Sequence, residues 1–186
     1  MSVPEMQRVS VEDFDAFVER PENSDRNFEY IGGEIVEVVS KFYAAEIAQA
    51  IAVYIGMFLI QNRIGRMTGA DGGYMVAGER YIPDVGFISM DKQPEPLNDA
   101  YSPNPPDLAV EVVSDETSSK ELRDLTIKIS NYLSVGTLVW IVYPDAKVVH
   151  VHQTDHAVRI LSMDDTLDGG AVLPDFTLAI KDIFRD

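Results

Sequence analysis

Two short runs in this 186-residue chain place a carboxylate where carboxylates are costly. Ile82-Pro83-Asp84-Val85 sets Asp84 at the entry of an apolar segment, and Leu108-Ala109-Val110-Glu111-Val112 sets Glu111 inside one. A carboxylate in such a run must be paired, hydrogen-bonded or bound to a metal. Two of them converging on one point would make a divalent-cation site. Each also has a plainer reading. Pro-Asp turns are common at strand entries, and a buried glutamate can belong to a structural ion pair. Side chains alternate along a strand, so Asp107 shares the face of Glu111. The helix that follows carries a third component. Its apolar stripe is Leu122, Leu125, Ile129, Tyr132 and Leu133. At about 100° per residue, Lys128 lies roughly 90° from the centre of that stripe, on its rim and within reach of the sheet, while Lys120 faces solvent. Asp124 and Lys128 are four residues apart, which is also the spacing of a surface ion pair worth a few tenths of a kcal/mol.

The elements that would hold these groups can be read from periodicity and turn chemistry. Val11 to Arg20 is a short helix with Ser10 as N-cap. Phe28 to Ile31 and Glu34 to Val39 flank Gly32-Gly33, a hairpin signal. Tyr43 to Gln61 is a helix whose Ile47, Ile51, Tyr54, Ile55 and Phe58 recur at helical spacing. Gly72 to Val76 and Asp84 to Met90 are strands split by a turn at Gly78. Asp91 to Pro106 holds five of the ten prolines and is a long connection without structure of its own, the kind that is often functional or mobile. Asp107 to Val113 is a buried strand. Ser118 and Glu121 have capping-box spacing and open a helix that runs to Ser134 and ends before Gly136. Leu138 to Val142 is a further buried strand, Val148 to Val151 and Val158 to Leu161 form a hairpin, and Leu178 to Phe184 is a short helix. This order describes an α/β or α+β domain with a mixed sheet.

Composition narrows the chemistry. Fifteen basic against 31 acidic residues give a net charge of -16, which disfavours broad, non-specific nucleic-acid binding. The chain has no cysteine, so thiolate metal sites, disulfides and cysteine nucleophiles are excluded. The helix around Ile47 to Ile60 is interrupted by Gln49, Tyr54 and Gly56 and reads as a core helix rather than a membrane span. No signal pattern opens the sequence, and a cytoplasmic location is expected. His150 and His152 alternate on one strand face and could bind a metal, although a partly exposed hairpin explains them as well. Glu46 falls about 140° from the apolar centre of its helix and is expected to be exposed.

Several segments together carry a resemblance: Phe28-Glu29-Tyr30-Ile31-Gly32-Gly33-Glu34, Pro83-Asp84-Val85, Val110-Glu111-Val112-Val113-Ser114, Asp124 and Lys128 before Tyr132, and Val135-Gly136 leading to Trp140-Ile141-Val142. In order and spacing the chain resembles the PD-(D/E)XK restriction-endonuclease-like superfamily and, within it, the bacterial Uma-two family. The resemblance implies one α/β domain over 1–186. It would be a restriction-endonuclease-like core, a mixed central sheet flanked by helices, with an additional N-terminal helix and hairpin. It implies a metal-dependent endonuclease in which Asp84, Glu111 and the carbonyl of Val112 ligate Mg²⁺ or Mn²⁺. The lysine that the superfamily places two residues after the glutamate is Val113 here, and the Uma-two pattern gives that role to Lys128. Glu29 and Asp124 take supporting positions. DNA as substrate and a homodimer are further implications. The histidine that many such proteins carry near the start of the second helix is missing.

Two other readings stay open. A nuclease-like fold that no longer cuts would act as a protein-interaction module and should expose an apolar patch. A hydrolase of smaller phosphate esters would use the same carboxylates in a closed pocket. A nuclease needs a local cationic path, for which Arg63, Arg66, Arg80 and Arg123 are the evident contributors.

Overall fold

The computed structural model describes residues 8–184. Along the chain run α1 (Val11–Val18), β1 (Phe28–Ile31), β2 (Glu34–Glu37), α2 (Phe42–Gln61), β3 (Gly65–Thr68), β4 (Gly73–Val76), β5 (Glu79–Tyr81), β6 (Val85–Ser89), β7 (Tyr101–Ser102), β8 (Leu108–Val112), α3 (Ser119–Ser134), β9 (Leu138–Tyr143), β10 (Val148–His152), β11 (Arg159–Leu161), β12 (Thr166–Gly169) and β13 (Leu173–Ala179). The central sheet has the order β11-β10-β9-β8-β6-β3, a second sheet has the order β2-β1-β5-β4-β7, and β12 pairs with β13. The central sheet is mixed. β8 and β9 are parallel, joined through α3, and β6 lies antiparallel to β8.

β8 and β9 are apolar at nearly every position because both faces of the central sheet are covered. On one face Leu108, Val110, Val112, Trp140 and Val142 pack with Ile47, Ile51 and Ile55 of α2. On the other, Ala109, Val113, Val139 and Ile141 meet Leu125 and Tyr132 of α3 and Ile31, Tyr74, Val76 and Tyr81 of the second sheet. Alternation along β8 assigns Glu111 to this second face, between the central sheet, α3 and β1. α1 opens with a capping box, in which Ser10 accepts from the Asp13 N–H and Asp13 accepts in return. Gly32 and Gly33 both adopt positive φ, 58° and 88°, as the two-residue β1–β2 turn requires.

The structure corrects several expectations. β3, β5 and β12 are strands that local pattern did not reveal, because they are short and polar and gain their regularity from a neighbour. Gly65 in β3 lies so close to β6 that a Cβ there would stand 2.4 Å from the Ile88 carbonyl oxygen. The segment from 91 to 106 is held rather than loose: β7 adds to the second sheet beside β4, and the Arg66 guanidinium donates to the carbonyls of Gln93 and Pro94. Leu178 and Ala179 end β13, and only a single 3₁₀ turn, Ile180–Asp182, follows where a helix was expected. The expectation of one domain over 1–186 extends beyond the described residues at both ends.

Candidate functional site

The β6–β8 pairing brings the two carboxylates together. Val85 lies opposite Val110 and Gly86 opposite Ala109, so continuing the register by one step sets Asp84 opposite Glu111, on the same face. Asp84 Oδ2 accepts a hydrogen bond from the Val112 N–H at 2.7 Å. Val112 therefore meets Asp84 through its amide. Asp107 shares nothing with this cluster, since it accepts from the Ser89 N–H and pairs with Lys92.

Lys128 completes the cluster. Its Nζ donates to Glu111 Oε2 at 2.7 Å and to Glu29 Oε1 at 2.8 Å. Glu29 of β1 also accepts from the Ile82 N–H at 2.7 Å, and Tyr132 donates its hydroxyl to Glu111 Oε1 at 3.0 Å. Lys128, Glu29 and Glu111 are 6%, 7% and 8% exposed, so this is a buried ionic core and not a rim contact. The true buried line of α3 is Asp124, Leu125, Lys128 and Tyr132. Two of its four members are charged, which rotated the apolar centre read from sequence away from the face that packs. Asp124 does not pair with Lys128. It accepts from Lys120 at 2.6 Å and from Arg123 at 2.8 Å. Lys120, expected to be free in solvent, is thus exposed but paired.

These contacts set the charge state of the site. Burial pushes the Asp84 carboxyl up to about 6, against the pull of the Val112 N–H and Lys128. Burial pushes Glu111 up to about 8; Lys128 works against that shift, and the charges of Glu29 and Asp84 add to it. Burial disfavours the Lys128 ammonium, but Glu111 and Glu29 outweigh it and hold the lysine above its ordinary value. Fully ionised, Glu29, Asp84 and Glu111 would exceed the Lys128 ammonium by two negative charges, an excess that the raised Glu111 relieves by holding a proton; the four line a cavity of about 330 Å³ together with Lys120 and Asp124, among others.

That donor set fits a divalent cation. An added +2 charge would offset the excess and lower both raised carboxyls. Among the described residues no group of three or more His, Cys, Asp or Glu is spaced to cage an ion unaided. Asp84 and Glu111 would supply two carboxylates and leave the other positions to water and substrate, the usual pattern for Mg²⁺. His150 and His152 lie on β10, two strands from β8, with rings 6.2 Å apart, and take no part in this cluster. Glu46 is exposed on α2, as expected.

The cationic path differs from the one expected. Arg80 is buried against Asp15 at 2.8 Å, Arg66 is bound to backbone carbonyls, and Arg63 is exposed beyond the end of α2. Arg123 is tied to Glu34 and to Asp124, which lines the cavity. Lys120 lines it too, and Lys41, next to the lining residue Ser40, pairs with Asp115 at 3.1 Å. Glu29 and Tyr132 are functional neighbours whose contacts sequence spacing could not supply, because Glu29 and Lys128 are 99 residues apart.

The family model named Uma2, described as "Putative restriction endonuclease", matches residues 11–181. No curated protein matches the chain. Among solved structures it is similar to one described as a putative nuclease belonging to DUF820 from Anabaena variabilis. The two share 22% identity over 91% of this chain and 96% of the other, with a TM-score of 0.77, a likeness of fold.

Proposed function

This chain belongs to the Uma2 family, and from that premise and the buried cluster we propose that it is a metal-dependent endonuclease that hydrolyses DNA phosphodiester bonds. The observation that carries this reading is the Lys128 ammonium bridging Glu111 and Glu29 beside Asp84. Asp84 and Glu111 would hold Mg²⁺ or Mn²⁺, which when bound lowers the pKa of a water and neutralises the scissile phosphate. The Val112 N–H fixes the Asp84 carboxylate, and Tyr132 fixes that of Glu111. Lys128, kept charged by its partners, is a donor aimed at the cavity and serves to orient the attacking water or to stabilise charge developing on the phosphate. It fills from α3 the role that Val113 cannot. Glu29 holds the lysine when Glu111 is engaged elsewhere. Asp124 keeps Lys120 and Arg123 at the mouth, where a phosphate backbone would approach.

The test is calorimetric titration of Mn²⁺ and Mg²⁺ into the wild type and into Asp84→Asn/Glu111→Gln, followed by cleavage assays with Lys128→Met. Saturable binding that is lost in the double variant, with cleavage lost in both variants, is the expected result. Equal heats from wild type and double variant would overturn the metal site. Binding without cleavage of any DNA substrate would favour the second reading, a nuclease-like interaction module. One observation favours that module: the outer face of α2 is apolar and exposed.

A further inference from the structure

Glu111 and Asp84 line a recess and not an open surface. Glu111 is 8% exposed and Asp84 is half-buried. The cavity they share, about 330 Å³, lies at the small end of the roughly 300 to 1,000 Å³ of ligand pockets. A phosphodiester that meets these carboxylates must enter the recess together with its neighbouring nucleotides. A double helix is a rod with a persistence length of about 50 nm and does not bend into a hollow of that size. An unpaired strand can turn at each phosphate. The rim carries a second signal. Val39, which lines the cavity, is 78% exposed, and the chain continues as Ser40-Lys41-Phe42-Tyr43, with Phe42 87% and Tyr43 41% exposed. This segment is fastened to the opposite wall: Lys41 Nζ donates to Asp115 Oδ2 at 3.1 Å, and Asp115 follows the lining residue Ser114. Burying a ring such as that of Phe42 is worth about 1.5–3 kcal/mol, which the fold forgoes here.

We propose, resting on the nuclease reading above, that the substrate is an unpaired DNA strand, whose scissile phosphate enters the recess while bases beside it stack on Phe42 and Tyr43. Charge separates this substrate from a duplex. The cations tied to the rim, Arg26, Lys41, Lys120 and Arg123, each already face a carboxylate, namely Glu37, Asp115, Asp124 and, for Arg123, both Asp124 and Glu34. A duplex brings one negative charge per about 1.7 Å of its axis and would meet those carboxylates along with the cations. A single strand brings half that density, one charge per about 3.4 Å. Its bases also expose their faces, which pairing and stacking hide in the double helix, and stacking on an aromatic ring gains affinity without any cation. A basic side chain followed by two exposed rings, at the edge of a narrow acidic cavity, suits that strand: Lys41 meets a phosphate next to the scissile one, and the rings take the bases.

Fluorescence anisotropy tests this with a labelled oligothymidylate of about 20 nucleotides, long enough for the roughly 4–16 that a single-strand site covers, and with the same strand annealed to its complement. Binding is measured with Ca²⁺ in place of Mg²⁺, and cleavage of both substrates is then read with Mn²⁺. The unpaired strand should bind at least about 10-fold more tightly than the duplex and be the one that is cut. Its salt dependence should be shallow, a log–log slope of about 3 or less for four cations. Phe42→Ala should weaken binding of the unpaired strand about 10-fold, with the melting temperature unchanged because the ring is exposed. Phe42→Trp should keep the wild-type affinity and Phe42→Leu should not, since stacking needs a flat ring. Duplex bound and cut as well as the single strand, or better, would overturn the proposal and leave the nuclease reading standing. Neither substrate bound or cut would overturn both. Wild-type affinity in Phe42→Ala or Phe42→Leu would overturn the stacking role of this rim.

Discussion

Lys128→Met removes the one cation in the buried cluster while preserving most of the side chain's length. Glu29 and Glu111 would then be left 7% and 8% exposed without the ammonium that lies 2.8 and 2.7 Å from them. Removing one partner of a buried ion pair costs about 3–5 kcal/mol, because the remaining charge stays desolvated. For a domain stable by about 5–15 kcal/mol, the variant should still fold. Its loss should depend on pH in a defined direction. Without Lys128 the Glu111 carboxyl, already raised to about 8, moves further up, so at pH 8 and above the folded variant keeps a proton that the wild type releases. A group with a raised folded pKa gives stability that is present at low pH and lost as pH rises through that value. One proton corresponds to about 1.4 kcal/mol per pH unit. The loss at pH 8.5 should therefore exceed the loss at pH 6 by up to about 1 kcal/mol. Urea unfolding in EDTA, followed by the fluorescence of the single, fully buried Trp140, measures both values. A loss below about 1 kcal/mol at both pH values, or the same loss at each, would refute the view of Lys128 as the charge that holds this cluster together.

Three further expectations follow from the same geometry. Glu111→Gln keeps an acceptor for Tyr132 and Lys128 but reduces the excess charge, so its metal-free melting temperature should equal or exceed the wild type's at pH 8 while Mn²⁺ no longer raises it; thermal melts with and without Mn²⁺ decide this. In the wild type, Asp84 at about 6 and Glu111 at about 8 both lie above their unfolded values, so metal-free stability should fall as pH rises from about 5 to 8.5 and saturating Mg²⁺ should flatten that fall; a melting curve at each pH tests it. Gly65→Ala would bring a Cβ to 2.4 Å from the Ile88 carbonyl oxygen and the Phe87 ring, prising β3 from β6 at a cost of about 1–3 kcal/mol in urea unfolding.

What is local in this protein is legible from its residues alone. The apolar runs around Glu111 and Trp140 read as buried strands, Ser118 as the start of a helix and Gly32-Gly33 as a hairpin turn, and the structure has each of them. The residues alone also single out Asp84 and Glu111, because a carboxylate inside an apolar run needs a partner. Who that partner is depends on tertiary structure. The β6–β8 register places Asp84 opposite Glu111. The docking of the second sheet against α3 delivers Glu29 to Lys128. Periodicity put Lys128 on a rim because it weighs residues by polarity, whereas burial here follows charge compensation: the ammonium is inside because two carboxylates meet it there. The short strands β3, β5 and β12 escaped notice because three or four residues carry too little periodicity, whether the partner is the adjacent strand, as β4 is for β5 and β13 for β12, or a more distant one, as β6 is for β3. The outer face of α2 marks the same boundary. Its core side, Ile47, Ile51 and Ile55, was legible from spacing, but only the fold showed that the apolar residues on the other side are left exposed.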